Sequence, residues 1–236
     1  MEMRLGAPAP TNVPRLVLSW CLAIAAPAPL AAAPVVEVQS GHVIVLDGGQ
    51  RRTITQSGRD ADAVLAPDGK AIVFTRSGRR AGDADDPQCA SGDADELRRI
   101  RPDGSGDELL LRGRPGGEPS QMLCDFSRKQ FSSEGRYLYF LSRAWATSGA
   151  LHVYDTRDKK KSFLLPANDV VVLSACADRE LRDRLVIQQH RYFVVGGSYD
   201  WYWLYDQVSK KEIGPVGEYE NAEAVRAAFN DMRCKR

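Results

Sequence analysis

A tight turn followed by an alternating apolar strand occurs twice in this chain of 236 residues. The first copy runs through Pro67-Asp68-Gly69 into residues 71–75, and the second runs through Ser133-Glu134-Gly135 into residues 137–141. Proline fixes φ, an acidic side chain bonds its own backbone, and glycine accepts a positive φ, so both copies predict a hairpin turn. The alternation after each turn is typical of a β-strand. We therefore predict a positive φ at Gly69 and at Gly135.

The alternation also predicts the two faces of the strand after each turn. In the first copy, Ile72 and Phe74 point to one face, and Val73 points to the other. In the second copy, Tyr139 faces away from Phe140.

A second type of hairpin recurs between these copies, and its spacing defines a repeat. Its first strands begin roughly 50 to 55 residues apart, a period typical of propellers and repeat arrays. These strands are His42–Asp47, Leu97–Asp103, Leu151–Asp155 and Trp201–Asp206. The sequence therefore predicts an all-β protein, an antiparallel propeller-like array of about four blades.

These features together resemble the TolB-like β-propeller repeat, a relative of the WD-type blade. The resemblance rests on Ala66–Phe74 with its second copy, and on Asp103–Leu109, which is similar to the outer turn of that blade. It covers most of residues 35–216. It implies blades of antiparallel strands, with a third inner hairpin near residues 179–195. That segment lacks the acidic-glycine turn of the other two copies.

Residues 1–33 have the order of a secretory signal peptide. Two arginines precede the apolar run 16–26, and three alanines follow at 31–33. Prolines interrupt the run and leave it too short for a spanning helix. We expect the remaining domain, residues 34–236, to be periplasmic or secreted, with no membrane span after cleavage. An uncleaved anchor is the alternative.

Four cysteines remain after residue 33, and an even number in an exported chain indicates disulfide bonds. They are Cys89, Cys124, Cys176 and Cys234. Cys89 and Cys124 flank the predicted hairpin 97–111, which brings its two ends together, so we favour this pair. Cys176 would then bond to Cys234 and fasten the tail. Free thiols are the alternative.

The tail after Gly217 changes from strand to helix periodicity. Apolar residues recur at helical spacing at Val225, Ala228, Phe229 and Met232. Asn221 is a suitable N-cap for them. We predict one short helix over 221–233 that packs an apolar stripe onto the sheets.

Charge and two short patterns limit the functions to consider. The chain has 32 Lys and Arg against 31 Asp and Glu, so no global basic field for nucleic acid exists.

The acidic segment 83–96 has Gln88 where a hand-type calcium loop needs glycine. Gly196–Tyr199 is similar to a nucleophile elbow, but Asp200 replaces its last glycine and a strand follows. We expect a solvated loop and a plain turn, with no metal, no cofactor and no catalytic residue.

An aromatic row is the strongest candidate for a binding site. Tyr199, Trp201, Trp203 and Tyr205 alternate along one strand and so point to one face. Such a row could stack on sugar rings or hold an apolar anchor of a partner. Aromatic residues dominate protein cores as well, and a core between two sheets is the interpretation we prefer.

Basic residues cluster at three outer-hairpin turns, at Arg51-Arg52, Lys159–Lys161 and Lys210-Lys211. Such residues protect edge strands from pairing with other chains, and contact with an anionic surface is the alternative.

The function expected from these features is non-enzymatic. A binding scaffold of the periplasm or cell exterior would meet another envelope or secreted protein through loops on one face. The alternative is a propeller-type enzyme or a carbohydrate-binding protein that uses the aromatic strand 199–205. Exposure of Trp201 and Trp203 in a groove would favour the alternative.

Overall fold

The structure is a computed structural model that describes residues 34–78, 95–114 and 117–234. Within these ranges the chain forms four antiparallel sheets that follow one another along the sequence. The first contains β1 (Val35–Gln39), β2 (His42–Asp47) and β3 (Gln50–Thr53). The second contains β4 (Asp60–Leu65), β5 (Ile72–Arg76), β6 (Glu96–Ile100) and β7 (Glu108–Arg112). The third contains β8 (Ser127–Phe131), β9 (Tyr137–Ser142), β10 (Gly149–Asp155) and β11 (Lys160–Ala167). The fourth contains β12 (Asp169–Val172), β13 (Leu185–Tyr192), β14 (Ser198–Asp206) and β15 (Lys211–Gly217).

Each sheet is a meander in which strand order follows chain order. One helix, α1 (Ala222–Met232), follows the fourth sheet. The prediction of an all-β, antiparallel array of four blade-like units with a short C-terminal helix is therefore confirmed.

The two repeated turns have the same geometry. Gly69 has φ +70° and Gly135 has φ +72°. The amide of Gly69 donates to the carbonyl of Ala66, and the amide of Gly135 donates to the carbonyl of Ser132, each at 2.9 Å. Both predicted positive φ values are confirmed, because the local sequence alone is sufficient to specify this turn.

Apolar side chains fill the gaps between successive sheets. Ile72 and Phe74 face the first sheet, whereas Val73 faces the third. Phe140 points into the gap shared with the second sheet, and Tyr139 into the gap shared with the fourth. Burial of each large apolar side chain stabilises the fold by about 1.5–3 kcal/mol. The central strands β5 and β9 are thus buried on both faces.

The helix α1 covers the outer face of the fourth sheet, on the side where a further blade would lie. Asn221 Oδ1 accepts a hydrogen bond from the amide of Ala224 at 2.9 Å, which confirms the predicted N-cap. Val225 and Phe229 pack in one apolar cluster with Val186 and Tyr202 of the sheet.

A disulfide bond between Cys176 and Cys234 fastens the chain just after α1 to the fourth sheet. This is one of the two pairs expected from the sequence. Cys89 lies outside the described residues, so its pairing with Cys124 stays a prediction.

The third inner hairpin differs from its expected form. The structure places it at β12 and β13, with the connection 173–184 in place of a tight turn. β13 ends at Tyr192, short of the end expected for this hairpin near residue 195, because Gly196 and Gly197 take φ values of +100° and +87° and reverse the chain.

Several expectations lie outside the described residues, namely the signal peptide 1–33 and most of the acidic segment 83–96. In the ranges that are described, no helix is long and apolar enough to cross a bilayer.

Candidate binding site

The aromatic row lies on a hairpin that projects beyond the fourth sheet. β12 pairs with β13 only as far as Gln188, and β15 pairs with β14 only from Tyr202 onward. β13 and β14 continue alone to the pair Tyr192 and Ser198. We call residues 189–201 the aromatic hairpin.

The row runs from the core to solvent along β14. Tyr205 lies opposite Leu185 and packs against the apolar cluster between the third and fourth sheets. All four row residues are half-buried, and the fully buried aromatic side chain of β14 is Tyr202, on the opposite face. Tyr205 packs against the core between the third and fourth sheets, whereas Tyr199 and Trp201 lie where β12 and β15 no longer pair with the hairpin. The hairpin is longer than the strands β12 and β15 beside it, so neither of these strands pairs with its outer half.

The rings of the row contact one another in series. Phe193 lies 4.5 Å from Tyr199, Tyr199 lies 5.1 Å from Trp201, and Trp201 lies 6.4 Å from Trp203, measured between ring centroids. Their planes are inclined by 33° to 61°, within the tilted and edge-to-face range that aromatic pairs prefer. The row is thus a preorganised surface of mutually packed rings.

Arg191 covers one face of Trp203. Its guanidinium carbon lies 3.7 Å from the centroid of that ring, a cation–π contact. The same guanidinium donates to the carboxylate of Glu212 and to Gln189 Oε1. Trp203 Nε1 is buried and has no hydrogen-bond partner among the described residues. Trp203 is therefore clamped in place, with one ring face already occupied.

The end of the hairpin is apolar and exposed. We call Tyr192–Gly197 the hairpin tip. Its exposed fractions are 69% at Tyr192, 49% at Phe193, 105% at Val194 and 96% at Val195. Two hydrogen bonds of 3.1 Å close the turn, from Phe193 N–H to the Gly197 carbonyl and from Gly196 N–H to the Phe193 carbonyl. The tip is thus an ordered turn that presents apolar side chains outward, an arrangement that marks interaction sites.

The segment that is similar to a nucleophile elbow is the turn of this hairpin. β14 begins at Ser198, and no helix follows it. The one nearby imidazole, His190, contacts Asp200 at 2.9 Å between Nδ1 and Oδ1. The pair bridges β13 and β14 on the hairpin face opposite the row.

Charged side chains also join the innermost strands of the sheets, and the sequence did not indicate them. Lys129 Nζ of β8 donates to Asp62 Oδ2 of β4 at 2.6 Å and to Thr75 Oγ1 at 2.7 Å. Arg128 of β8 lies 3.3 Å from the carboxylate of Asp169 in β12. Burial lowers the pKa of Lys129, and the carboxylate of Asp62 opposes this shift. All three Lys129 donors are occupied, since Phe126 O accepts the third, so the arrangement is structural and not reactive.

A pocket of about 390 Å³ opens between the second and third sheets, at the opposite end from the aromatic hairpin. Val73, Phe131 and Tyr154 form its apolar floor. At the rim, Lys159 Nζ pairs with the carboxylate of Glu108 at 3.0 Å. These two groups therefore satisfy each other at the rim.

The described part of the acidic segment is structural. Asp95 accepts hydrogen bonds from the amides of Gly78 and Asp125, and Glu96 pairs with Arg98 at 2.6 Å. Across the described ranges, no group of three or more His, Cys, Asp or Glu side chains is arranged to hold a metal ion.

The basic clusters lie on or next to the outermost strands β3, β11 and β15, as expected for edge protection. Arg51 also pairs with Glu37 at 3.1 Å across the outer face of the first sheet.

Comparison with known proteins finds similarity to solved structures only. No protein-family model and no curated sequence matches this chain. TolB from Acinetobacter baumannii is 16% identical over 80% of this chain and 42% of that chain, with a TM-score of 0.49. An oligogalacturonate lyase in complex with manganese is 12% identical over 77% and 43%, with a TM-score of 0.51. The β-propeller domain of the trilobed protease from Pyrococcus furiosus is 11% identical over 77% and 49%, with a TM-score of 0.43.

These matches show the fold and no more. The chain has the antiparallel sheet arrangement of TolB-like and other β-propeller proteins, with a partial match and low sequence identity. It spans less than half the length of each of these three structures. The matched structures include a lyase and a domain of a protease beside TolB, so function has to be argued from the site itself.

Proposed function

We propose that this chain is an exported, non-enzymatic scaffold that binds another protein through the aromatic row. The observation that carries the proposal is the composition of the half-exposed part of the hairpin, which combines Tyr199, Trp201 and Trp203 with Arg191. Tyr, Trp and Arg are the residues most enriched at the energetic centres of protein interfaces. The rings already restrain one another, so few rotamers remain to be fixed on binding and the entropic cost of association is low.

The geometry of the rings favours a protein over a sugar. Stacking on a sugar ring needs a flat and free aromatic face. Arg191 occupies one face of Trp203, and the neighbouring rings of the row are inclined to each other. A protein side chain can fit between inclined rings, whereas one pyranose ring cannot stack on two of them at once.

Export is supported by two features. Residues 1–33 have the order of a secretory signal peptide, and Cys176 is bonded to Cys234. Stable structural disulfides are typical of oxidising compartments. The partner is then another envelope or secreted protein.

Site-specific photo-crosslinking in the native host tests this function. A benzoylphenylalanine is placed at Trp201, and a control one at Trp145, which is 36% exposed in the connection between β9 and β10. We expect one discrete crosslinked protein from position 201 and none from position 145. Arg191→Ala should weaken that crosslink, because it frees the clamped Trp203 ring.

Identical crosslinking patterns from the two positions would argue against the row as the contact site. Saturable quenching of tryptophan fluorescence by neutral oligosaccharides, lost in Trp201→Ala, would favour the carbohydrate-binding alternative instead.

A further inference from the structure

We propose that the hairpin tip inserts into the surface of a lipid bilayer. The tip is Tyr192–Gly197, and it lies beyond the aromatic row that the proposed function assigns to a protein. This inference goes beyond that function because it concerns a different partner and is carried by the tip, although Tyr199 and Trp201 of the row border the inserted segment.

The apolar side chains of the tip are not needed to form the core of the fold. The side chains of Val194 and Val195 are fully exposed, and those of Tyr192 and Phe193 are exposed by half or more. No charged residue occurs from Tyr192 to Tyr199. Transfer of such side chains from water to the boundary between headgroups and acyl chains is favourable in proportion to their apolar area.

The residues behind the tip suit the membrane interface. Tyr192, Tyr199 and Trp201 form a collar around the base of the tip, and tyrosine and tryptophan are the side chains enriched at headgroup level. Trp201 lies three residues along β14 from Ser198, which corresponds to about 10 Å of strand. Interfacial segments enter the bilayer to a depth of about 5–10 Å, so the collar lies at the depth where its polar groups meet water.

The shape of the hairpin allows the tip to reach a flat surface. The aromatic hairpin extends past the last paired residues of β12 and β15, so neither neighbouring strand shields it. The turn at 193–197 lies at the same end of the molecule as the connection 143–148, because β9 and β13 run in the same direction in adjacent sheets. That connection carries the exposed ring of Trp145, which offers a second contact with the same surface.

The charges near the tip are balanced. Arg191 pairs with Glu212, and His190 contacts Asp200 at 2.9 Å. A surface without excess positive charge gains nothing from anionic lipid. The binding should therefore occur on zwitterionic vesicles and change little with salt, since screening affects charge attraction and not apolar burial.

Vesicle flotation with the full chain as purified tests the inference. The matched pair is Val194→Asp and Val208→Asp, the same change at two exposed valines. Val208 is 86% exposed and lies in the turn after β14, at the opposite end of that strand from the tip. On phosphatidylcholine vesicles we expect Val194→Asp to lower the partition coefficient by about tenfold or more and Val208→Asp to leave it unchanged. Equal thermal melts of the two variants would show that both are folded.

Two results would overturn the inference. One is equal partition of the unmodified chain and Val194→Asp on phosphatidylcholine. The other is partition that requires phosphatidylglycerol and disappears at high salt, which would place the contact on a basic surface elsewhere. A photo-crosslink from position 194 to a protein, without any vesicle binding, would assign the tip to the protein contact and leave the proposed function intact.

Discussion

Lys129 Nζ lies 2.6 Å from Asp62 Oδ2, so a lysine of β8 with a fully buried side chain is neutralised by a carboxylate of β4. The two residues are 67 positions apart in the chain. Their contact ties the second sheet to the third at the innermost strands, beside the apolar cluster to which Val64 and Phe131 of the same strands contribute. Removing one member of a buried pair is more destabilising than replacing the pair, because it leaves a charge without a partner.

Asp62→Asn should therefore destabilise the protein by about 3 kcal/mol in urea denaturation. Asparagine keeps the side-chain shape and tolerates the φ of +47° at this position, so the change removes little more than the charge. Glu108→Gln is the control. Glu108 pairs with Lys159 at 3.0 Å and both side chains are largely exposed, so the loss should stay below about 1 kcal/mol. Equal losses in the two variants would contradict the importance of burial at Lys129.

Gly135→Val should destabilise the fold more than Gly69→Val, although both glycines have nearly the same φ. A β-branched residue at positive φ costs on the order of 1–3 kcal/mol at either position. A Cβ at Gly135 would in addition lie 3.3 Å from Pro67 Cδ, whereas a Cβ at Gly69 meets no atom within 4 Å. Thermal melts of both variants beside Lys160→Ala measure the difference. Indistinguishable melts for the two glycine variants would mean that the contact with Pro67 does not add to the destabilisation.

The buried His152 should make the protein sensitive to acid. Its ring is fully buried, stacks 5.4 Å from Phe140 and lies 5.8 Å from Phe163. Burial lowers the pKa of His152 from 6.5 to about 4. Between these values the unfolded chain binds the proton and the folded chain does not, so stability is complete above pH 6.5 and falls as the pH approaches 4. The loss from this one group is about 3 kcal/mol.

His152→Phe tests this pH dependence. Phenylalanine keeps an aromatic ring against Phe140 and cannot be protonated. Urea denaturation at pH 7.5 and at pH 4.5 should show a smaller loss in the variant than in the unmodified protein. The same loss in both proteins would assign acid sensitivity to other groups.

Removal of the Cys176–Cys234 bond should release α1 before the sheets unfold. The bond closes a segment of 58 residues, for which loop entropy gives a loss of about 4 kcal/mol in the double Cys176→Ala and Cys234→Ala variant. Hydrogen exchange should accelerate first in the helix, whose Val225 and Phe229 remain as its main apolar contacts. Uniform acceleration over all four sheets would mean that the helix and the array unfold as one unit.

The features that local sequence specifies could be predicted. The turns at Gly69 and Gly135, the two faces of β5 and the N-cap at Asn221 each depend on a few neighbouring residues. The connection 173–184 could not be predicted, because it carries no turn signal of its own.

The site was predicted only in part. The common face of the aromatic row follows from alternation, but the point where it leaves the core depends on where β12 and β15 stop pairing. Lys129 reads as an ordinary surface lysine, since its partners Asp62 and Thr75 are 67 and 54 residues away. The exposure of Val194 and Val195 was missed because an apolar pair beside a strand usually continues it.

The position of α1 has a consequence for how the molecule behaves in a crowded compartment. Each apolar gap in the array is filled by side chains of two neighbouring sheets. If the outer face of the fourth sheet were uncovered, it would present to a second molecule the same kind of apolar surface that one sheet presents to its neighbour. By lying on that sheet, α1 removes the surface on which end-to-end stacking would begin. The helix, tied down by its disulfide, thereby protects the protein against polymerisation through its own repeat.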